Sequence, residues 1–183
     1  LALGRIAAAI GIDERRILYS GDISHQQNRA FINLLDIDLH EFDTESVQNR
    51  PEGSLLAFVD HAKPGDNNRV PEGILIDIVI DHHPAENIDA RFIDHREEIG
   101  ATATILTEYV RALDIELDTT LATALLFAIR RETLGFLRGA TEAEYAAAGY
   151  LHDAADLDLL RQLSTPSISG ATVDAIAKAI ENR

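Results

Sequence analysis

The chain has 183 residues and a formal net charge of −15, with 31 acidic against 16 basic side chains and no cysteine. This composition suits one globular domain, excludes disulfides and thiolate metal sites, and offers no basic face for a nucleic-acid duplex. No signal peptide is visible, and no apolar run reaches the about 20 residues that span a bilayer. We therefore expect a cytoplasmic protein without a membrane partner.

The surface is acidic and poor in lysine. Only Lys63 and Lys178 are lysines, and the acidic charge is carried by 31 aspartates and glutamates. Such a surface is typical of proteins adapted to high salt, where concentrated ions screen the repulsion between like charges. We expect a halophilic source; the alternative is an ordinary acidic cytosolic protein.

The first half of the chain predicts short strands that alternate with helices. Helices are predicted at residues 1–11, ending at Gly11, and at residues 25–35, capped by Ser24. Strands are predicted at residues 16–20, 38–42, 54–60, 74–80 and 90–94, the last at a sheet edge. Residues 44–53 are polar and rich in turn formers.

The second half is predicted to be helical. Helices are expected at residues 101–113, at 119–130, from Thr141 onward, at 156–163 and at 172–180. The whole order predicts an α/β fold, with a mostly parallel β-sheet flanked by helices and followed by a helical block.

The most informative stretch is an apolar strand that ends in one carboxylate and two imidazoles. Residues 74–80 are aliphatic apart from one aspartate, which predicts a strand buried on both faces in a sheet covered by helices. Asp81, His82 and His83 follow at once, and Pro84 ends the strand. Ligands of open α/β sheets bind beyond the carboxyl ends of the strands. The stretch predicts a metal site there; the alternative is a polar loop.

Two further polar groups follow apolar segments. Asp60 and His61 end the predicted strand at 54–60, and the run Arg130-Arg131-Glu132-Thr133 interrupts an apolar helix. Oxygen and imidazole ligands suit Mn²⁺, Mg²⁺, Fe²⁺ or Zn²⁺, and a metal held by them can activate water and stabilise charge on a phosphoryl centre. The spacing by itself identifies no substrate.

The order of these motifs resembles the DHH phosphoesterase superfamily. The resemblance rests on Val59-Asp60, Ile80-Asp81-His82-His83, Gly100-Ala101-Thr102-Ala103-Thr104 and Glu132-Thr133-Leu134-Gly135-Phe136. That superfamily includes RecJ-type exonucleases, nano-RNases, cyclic-dinucleotide phosphodiesterases and family II inorganic pyrophosphatases. The resemblance extends to about Leu163, and with the acidic surface it points to the central DHH domain of a RecJ-type or nano-RNase-like protein from a halophilic archaeon.

The resemblance implies a role for each residue of the central motifs. Asp60 would be a metal ligand that bridges two ions, and His82 would be a direct ligand. His83 would contact the scissile phosphate, and Asp81 would orient the imidazoles. The implied cofactor is Mn²⁺, with Mg²⁺ as the alternative, and two ions are expected in the intact protein.

The remaining predicted site residues carry open alternatives. Glu132 stands where the superfamily usually has an aspartate ligand, and its extra methylene moves the carboxylate; the alternative is a surface acid paired with a neighbouring arginine. Arg138, Thr102 and Thr104 are predicted to bind substrate, the threonines together with the N–H groups of a helix start. The alternatives are a solvated arginine and threonines that only cap the helix.

The resemblance also implies parts that this sequence lacks. Superfamily members begin with a strand and an Asp-x-Asp loop that supplies two more ligands, whereas residues 1–11 resemble the helix after that loop. We expect residues 1–163 to form a DHH core domain without its N-terminal strand and loop. Residues 164–183 would be a linker and helix toward an absent C-terminal domain, and such a fragment would be inactive by itself.

Three functions stay open at this stage. The first is a metal-dependent phosphoesterase that hydrolyses a phosphodiester in a short oligonucleotide or cyclic dinucleotide. The second is a non-catalytic module that senses a nucleotide at a degenerate site, fused to or in contact with a nucleotide-binding regulatory domain. The third is an inorganic pyrophosphatase. A homodimer is a further expectation.

Overall fold

The computed structural model describes residues 1–23, 25–64, 69–71, 73–164, 174 and 177–180. Within these ranges the helices are α1 (Ala2–Ala9), α2 (Gln26–Leu34), α3 (Thr44–Gln48), α4 (Thr102–Ala112), α5 (Thr119–Glu132), α6 (Glu142–His152) and α7 (Leu157–Ser164). The strands are β1 (Ile17–Tyr19), β2 (Leu39–Glu41), β3 (Ala57–Val59), β4 (Ile78–Asp81) and β5 (Phe92–His95). Among the described helices, none combines the length and the apolar character needed to cross a lipid bilayer.

The strands form two parallel sheets. β1 pairs with β2, with Ile17 opposite Leu39. The second sheet has the order β3-β4-β5, so that β4 lies in the middle and its Ile78 faces both Ala57 and Phe92. The predicted α/β fold with parallel strands flanked by helices is confirmed, but the described strands are divided between two sheets instead of forming one.

The two faces of β4 pack against different partners. Ile80 lies in the main hydrophobic core with the helices of the second half. Val79 points to the opposite face, because side chains alternate along a strand, and there it joins Phe58, Val70 and Ile76 in a smaller core. Helices therefore cover one face of the strand, whereas the residues of the smaller core include segments outside regular structure. The predicted burial of this strand on both faces is confirmed, and the second face is covered by the described residues of the smaller core.

The main core is built by the helical block. Its fully buried aliphatic side chains come from α4, α5, α6 and α7, and include Ile105, Val110, Leu121, Ile129, Leu151 and Leu163. Each such side chain contributes about 1.5–3 kcal/mol by leaving water. This block supplies the rigid support behind the three-stranded sheet.

Several element boundaries differ from the sequence-based expectation. Asp43 caps α3 by accepting the N–H groups of Glu45 and Ser46, so part of the stretch expected to be turn-rich is a short helix. α5 continues through Glu132, where a polar interruption of the helix was expected. The predicted cap Ser24 lies outside the described residues. Of the predicted last helix, Asp174 and residues 177–180 are described, and they are helical.

Candidate metal centre

The carboxyl ends of β3 and β4 bring the Asp60 and Asp-His-His motifs to one edge of the sheet. Val59 lies opposite Ile80 in the parallel ladder. The N–H of Asp60 then donates to the carbonyl of Ile80 at 2.9 Å, which extends the pairing by one residue. Because both strands run in the same direction, the residues that follow each of them lie side by side.

Asp60, His82 and His83 form a compact group of potential metal ligands. Each offers one ligand atom, and these atoms all lie within 4.8 Å of one another. The side chains of Asp60 and His83 are about half exposed, at 49% and 50%, whereas His82 is only 13% exposed. One carboxylate oxygen and two imidazole nitrogens suit a divalent ion such as Mn²⁺, so these residues fit the predicted cofactor.

The His82 ring is held with one nitrogen free. Its Nδ1 lies 2.9 Å from the carbonyl oxygen of Ile99. A carbonyl can only accept, so Nδ1 carries a proton, and in the neutral ring Nε2 keeps its lone pair. Nε2 is buried without a hydrogen-bond partner, 3.7 Å from Oδ1 of Asp60. Unpaired buried polar atoms are rare, and this one lies where a metal ligand is needed.

Asp81 fixes the backbone of the two histidines by hydrogen bonds. Its side chain is almost fully buried, and its Oδ1 accepts the backbone N–H groups of His82 and His83 at 2.8 and 3.2 Å. The same oxygen lies 2.9 Å from Nδ1 of His83. Asp81 therefore orients the ring of His83, while the ring of His82 is oriented by Ile99.

The charge around His83 favours its protonated form. The hydrogen bond to Asp81 raises the pKa of His83 above its ordinary value, against the opposing effect of burial. The charges of Asp60, Asp81 and Glu132 act in the same direction as the hydrogen bond. With Nδ1 bonded to Asp81, Nε2 is the ring nitrogen left for an ion or for a phosphate oxygen.

Asp60 adopts a backbone conformation that is uncommon for a residue with a side chain. Its φ is +69°, in the left-handed region. For residues other than glycine this region costs about 1–3 kcal/mol and persists where surrounding structure enforces it. Here the Asp60 N–H is bonded to the carbonyl of Ile80, and the carboxylate lies 3.7 Å from Nε2 of His82.

A cleft of about 460 Å³ opens beside the three residues. Its walls are the loops after β3 and β4, and its lining is Asp60, His61, Ala62, Lys63, Asp81, His83, Pro84, Ala85 and Glu86. Asp81, Asp60 and Glu86 make it acidic, and Lys63 is its one lysine or arginine among the described lining residues. We term it the metal cleft.

His61 and Lys63 also lie in the metal cleft; the sequence named His61 beside Asp60 but predicted no role for it, and it did not single out Lys63. His61 is fixed by a contact of 3.0 Å between its Nδ1 and the carbonyl of Val59, and its ring packs on Phe58. Burial lowers the pKa of His61 below its ordinary value, which keeps the ring neutral near pH 7. The signal that could have identified both residues is their position directly after the strand that delivers Asp60.

Glu132 and Arg138 lie apart from the compact ligand group. Glu132 is not among the residues whose ligand atoms lie within 4.8 Å of one another, yet it is near enough for its charge to raise the pKa of His83. In the described part of the chain, no ion pair joins Glu132 to Arg130 or Arg131. Arg138 is exposed and donates to the backbone carbonyl of Glu132 at 3.3 Å.

Thr102 and Thr104 are buried at the start of α4. They are 3% and 0% exposed, and neither belongs to the lining of the metal cleft. The N-cap of α4 is Ala101, which has no side-chain cap bond, so the capping alternative does not describe them either. Their predicted substrate contact stays a prediction, and it requires a movement that exposes them.

Comparison with known proteins finds one relative that aligns with the whole chain and others that align with more than half of it. No known protein-family profile matches the chain. The uncharacterized protein MJ1633 of Methanocaldococcus jannaschii is 37% identical over 184 residues, which cover 100% of this chain and 37% of that protein. A Listeria welshimeri protein named "probable manganese-dependent inorganic pyrophosphatase" is 32% identical over 111 residues, 59% of this chain and 36% of that protein.

A solved structure shares the fold. The crystal structure of an exopolyphosphatase-related protein from Bacteroides fragilis matches 91% of this chain and 60% of its own, with a TM-score of 0.59 and 13% identity. At that identity the likeness concerns the fold alone. The chain spans little more than a third of the length of the two curated relatives, 37% and 36%.

Proposed function

We propose that the protein is a metal-dependent hydrolase of phosphoesters or phosphoanhydrides in the DHH superfamily. The observation that carries the proposal is the buried, unpartnered Nε2 of His82, which lies 3.7 Å from Asp60 at the carboxyl ends of two parallel strands. The similarity to a protein named as a manganese-dependent pyrophosphatase supports both the superfamily and the metal. The fold shared with an exopolyphosphatase-related protein agrees with it.

The residues of the metal cleft have distinct parts in this proposal. Asp60 and His82 would hold the ion, which when bound would supply an activated water and a positive charge for the phosphoryl oxygens. His83 is fixed by Asp81 and, with its raised pKa, donates a proton or a hydrogen bond to a phosphate oxygen. Lys63 offers a cation on the cleft wall, which offsets the acidic lining for an anionic substrate.

Two substrate classes remain under this proposal. Pyrophosphate is favoured by the named activity of the Listeria relative. A short oligonucleotide or a cyclic dinucleotide is the class that the motifs suggested, and we retain it as the alternative. The use of two ions, the RecJ-type assignment, the halophilic source, the homodimer and the contact with a nucleotide-binding regulatory domain stay predictions.

Metal binding is the first test. We expect Mn²⁺ to bind in calorimetry and His82→Ala to abolish that binding, because Nε2 is the buried ligand. His152→Ala is the matched control, since His152 is exposed and paired with its neighbour Asp153. Binding that survives in His82→Ala would remove the basis of the proposal.

Product analysis separates the substrates. The protein with Mn²⁺ is given pyrophosphate, a linear dinucleotide and a cyclic dinucleotide in parallel, and phosphate or nucleotide products are measured. Release of phosphate from pyrophosphate alone assigns a pyrophosphatase, and cleavage of a dinucleotide assigns a phosphodiesterase. Mn²⁺ and nucleotide binding without any product would replace the hydrolase with the nucleotide-sensing module.

A further inference from the structure

Glu144 is a fully buried carboxylate with an unusual set of partners. It lies in the first turn of α6 and is 0% exposed. Its Oε2 accepts the N–H and the hydroxyl of Thr141 at 2.7 and 2.6 Å, and the bond from the N–H is the Glu144 half of the capping box of the helix. A capping box needs only these local bonds. Oε1 is left over, and it reaches across 44 positions of sequence to accept the N–H of Gly100 at 2.9 Å.

The N–H of Gly100 belongs to the same peptide group as the carbonyl of Ile99. That carbonyl accepts the Nδ1–H of His82 at 2.9 Å. One planar peptide group therefore connects the Glu144 carboxylate on one side to the His82 imidazole on the other. Hydrogen bonds in such a chain polarise one another, so a negative charge at the N–H makes the carbonyl a stronger acceptor.

The shared peptide group is also held by steric contact. A Cβ built on Gly100 would lie 2.4 Å from the carbonyl oxygen of Gly139, in the loop after α5. Only glycine permits this approach, and the approach limits how far the peptide can move. The position of the Ile99 carbonyl is thus set by Glu144 and by the packing of Gly139.

Glu144 carries its charge at neutral pH. Burial raises the pKa of Glu144, but the hydrogen bonds from Thr141 and Gly100 act against burial, and the pKa lies below its ordinary value. No ion pair to a lysine or arginine is present for Glu144 in the described ranges. The buried charge is thus held by N–H and O–H donors alone, and one of them, the N–H of Gly100, lies outside α6 and its cap.

We propose that Glu144 is a positioning residue for the metal ligand His82, acting through the Ile99–Gly100 peptide group. It fixes the ring orientation and the proton on Nδ1, and it increases the electron density of the free Nε2. Carboxylates that contact a metal-bound histidine directly have this effect, and their loss typically costs 10–100-fold in metal affinity. In this protein the Ile99–Gly100 peptide group would connect the carboxylate to the histidine in place of a direct carboxylate–histidine contact. The inference rests on the proposed metal site.

Glu144→Gln tests the relay with little change of shape. The amide carries no charge and has an oxygen at only one of the two positions, so it cannot accept from Thr141 at one and from Gly100 at the other. Thr141→Val is the matched control, because it removes the hydroxyl at the same helix start and leaves the bond from Gly100 to Oε1. We expect Glu144→Gln to weaken Mn²⁺ binding by about 10-fold, and Thr141→Val to change it less than about 2-fold.

A second readout needs no metal. Long-range nitrogen–proton NMR correlations report which nitrogen of His82 holds the proton in the metal-free protein. We expect the Nδ1–H form in the wild type and in Thr141→Val, and a mixture of the two forms in Glu144→Gln. If Glu144→Gln does not fold, Glu144→Asp serves instead, since the shorter carboxylate keeps the charge but withdraws from Gly100.

The outcomes separate this inference from the proposed function. Mn²⁺ binding that His82→Ala abolishes and Glu144→Gln leaves unchanged overturns the relay alone. Equal losses in Glu144→Gln and Thr141→Val also overturn it, because the effect is then one of helix stability. If Mn²⁺ does not bind to the wild type, the proposed function fails, and the His82 proton position still decides whether Glu144 acts on the ring.

Discussion

Two buried acids, Asp81 at the strand edge and Glu144 in the helical block, are used in different ways. Both oxygens of Glu144 accept hydrogen bonds, one from Gly100 and one from Thr141. Asp81 gathers its bonds on Oδ1, while its Oδ2 is buried without a partner, as is Nε2 of His82 nearby. The Glu144 carboxylate is thus fully satisfied within the protein, whereas Asp81 at the strand edge keeps one oxygen without a partner; the hydroxyls of Thr102 and Thr104 at the start of α4 are also buried without one. The difference between the two acids indicates that Glu144 supports the site and that Asp81 and His82 border the place where an ion would bind.

The comparison predicts that an apolar core substitution in the helical block, which leaves Glu144 in place, lowers stability without changing the metal site chemistry. Leu151 is fully buried in α6, so Leu151→Ala should destabilise the protein by about 2–5 kcal/mol through lost burial and a cavity. Urea unfolding measures this loss. Leu137→Ala is the control, because Leu137 is 89% exposed and should change stability little. A Leu151→Ala protein that is folded yet has lost Mn²⁺ binding would show that the two regions are not separable.

A substitution at the strand edge should abolish Mn²⁺ binding and change the free energy of unfolding only a little. Asp60 has a φ of +69°, which glycine adopts without strain and alanine does not. We expect Asp60→Gly to be more stable than Asp60→Ala by about 1 kcal/mol in urea unfolding, since a left-handed residue costs about 1–2 kcal/mol. Both variants should lose Mn²⁺ binding. Equal stability of the two variants would mean that Asp60 is not strained, and retained binding would exclude it as a ligand.

A third prediction concerns an acid that is paired with a cation. Asp94 of β5 accepts two bonds from Arg96 and one from Tyr109. The bonds from Arg96 hold the pKa of Asp94 below its ordinary value, against burial. A depressed folded pKa adds stability above the unfolded value near 3.8, and this stability is lost as the pH falls through the folded pKa.

Asp94→Asn should therefore lower the free energy of unfolding by about 1 kcal/mol at pH 7, and the difference from the wild type should shrink in acid. Urea unfolding over a pH series measures both effects. Asp153→Asn is the control, because the Asp153 side chain is fully exposed. A difference between wild type and Asp94→Asn that persists unchanged in acid would assign the effect to packing instead of charge.

The group of potential metal ligands could be predicted from the sequence, because each residue of the group directly follows an apolar strand. Two apolar strands that each end in acid and histidine residues place Asp60, His82 and His83 together as soon as the strands pair in parallel. The position of Glu132 was less accessible, because it follows from where α5 ends and how that helix packs on the sheet. The sequence alone does not show how close the carboxylate of a glutamate at the end of a helix comes to the other potential ligand atoms.

The support of the site could not be read from the sequence. His82 depends on a carbonyl 17 positions away, and that peptide depends on an acid 44 positions farther along. Such links arise from how α4 and α6 pack, and no pattern of spacing encodes them. α3 was missed for another reason: its residues are polar, and a single aspartate cap decides the helix.

The scarcity of lysine has a practical consequence for the metal cleft. The chain has two lysines, Lys63 and Lys178, and Lys63 lies on the cleft wall. An amine-reactive fluorophore can therefore attach beside the cleft without mutagenesis, with Lys178 as the other lysine of this sequence. The emission of such a probe would respond directly to an arriving paramagnetic ion, so the natural sequence already contains the attachment point for an optical sensor of its own metal.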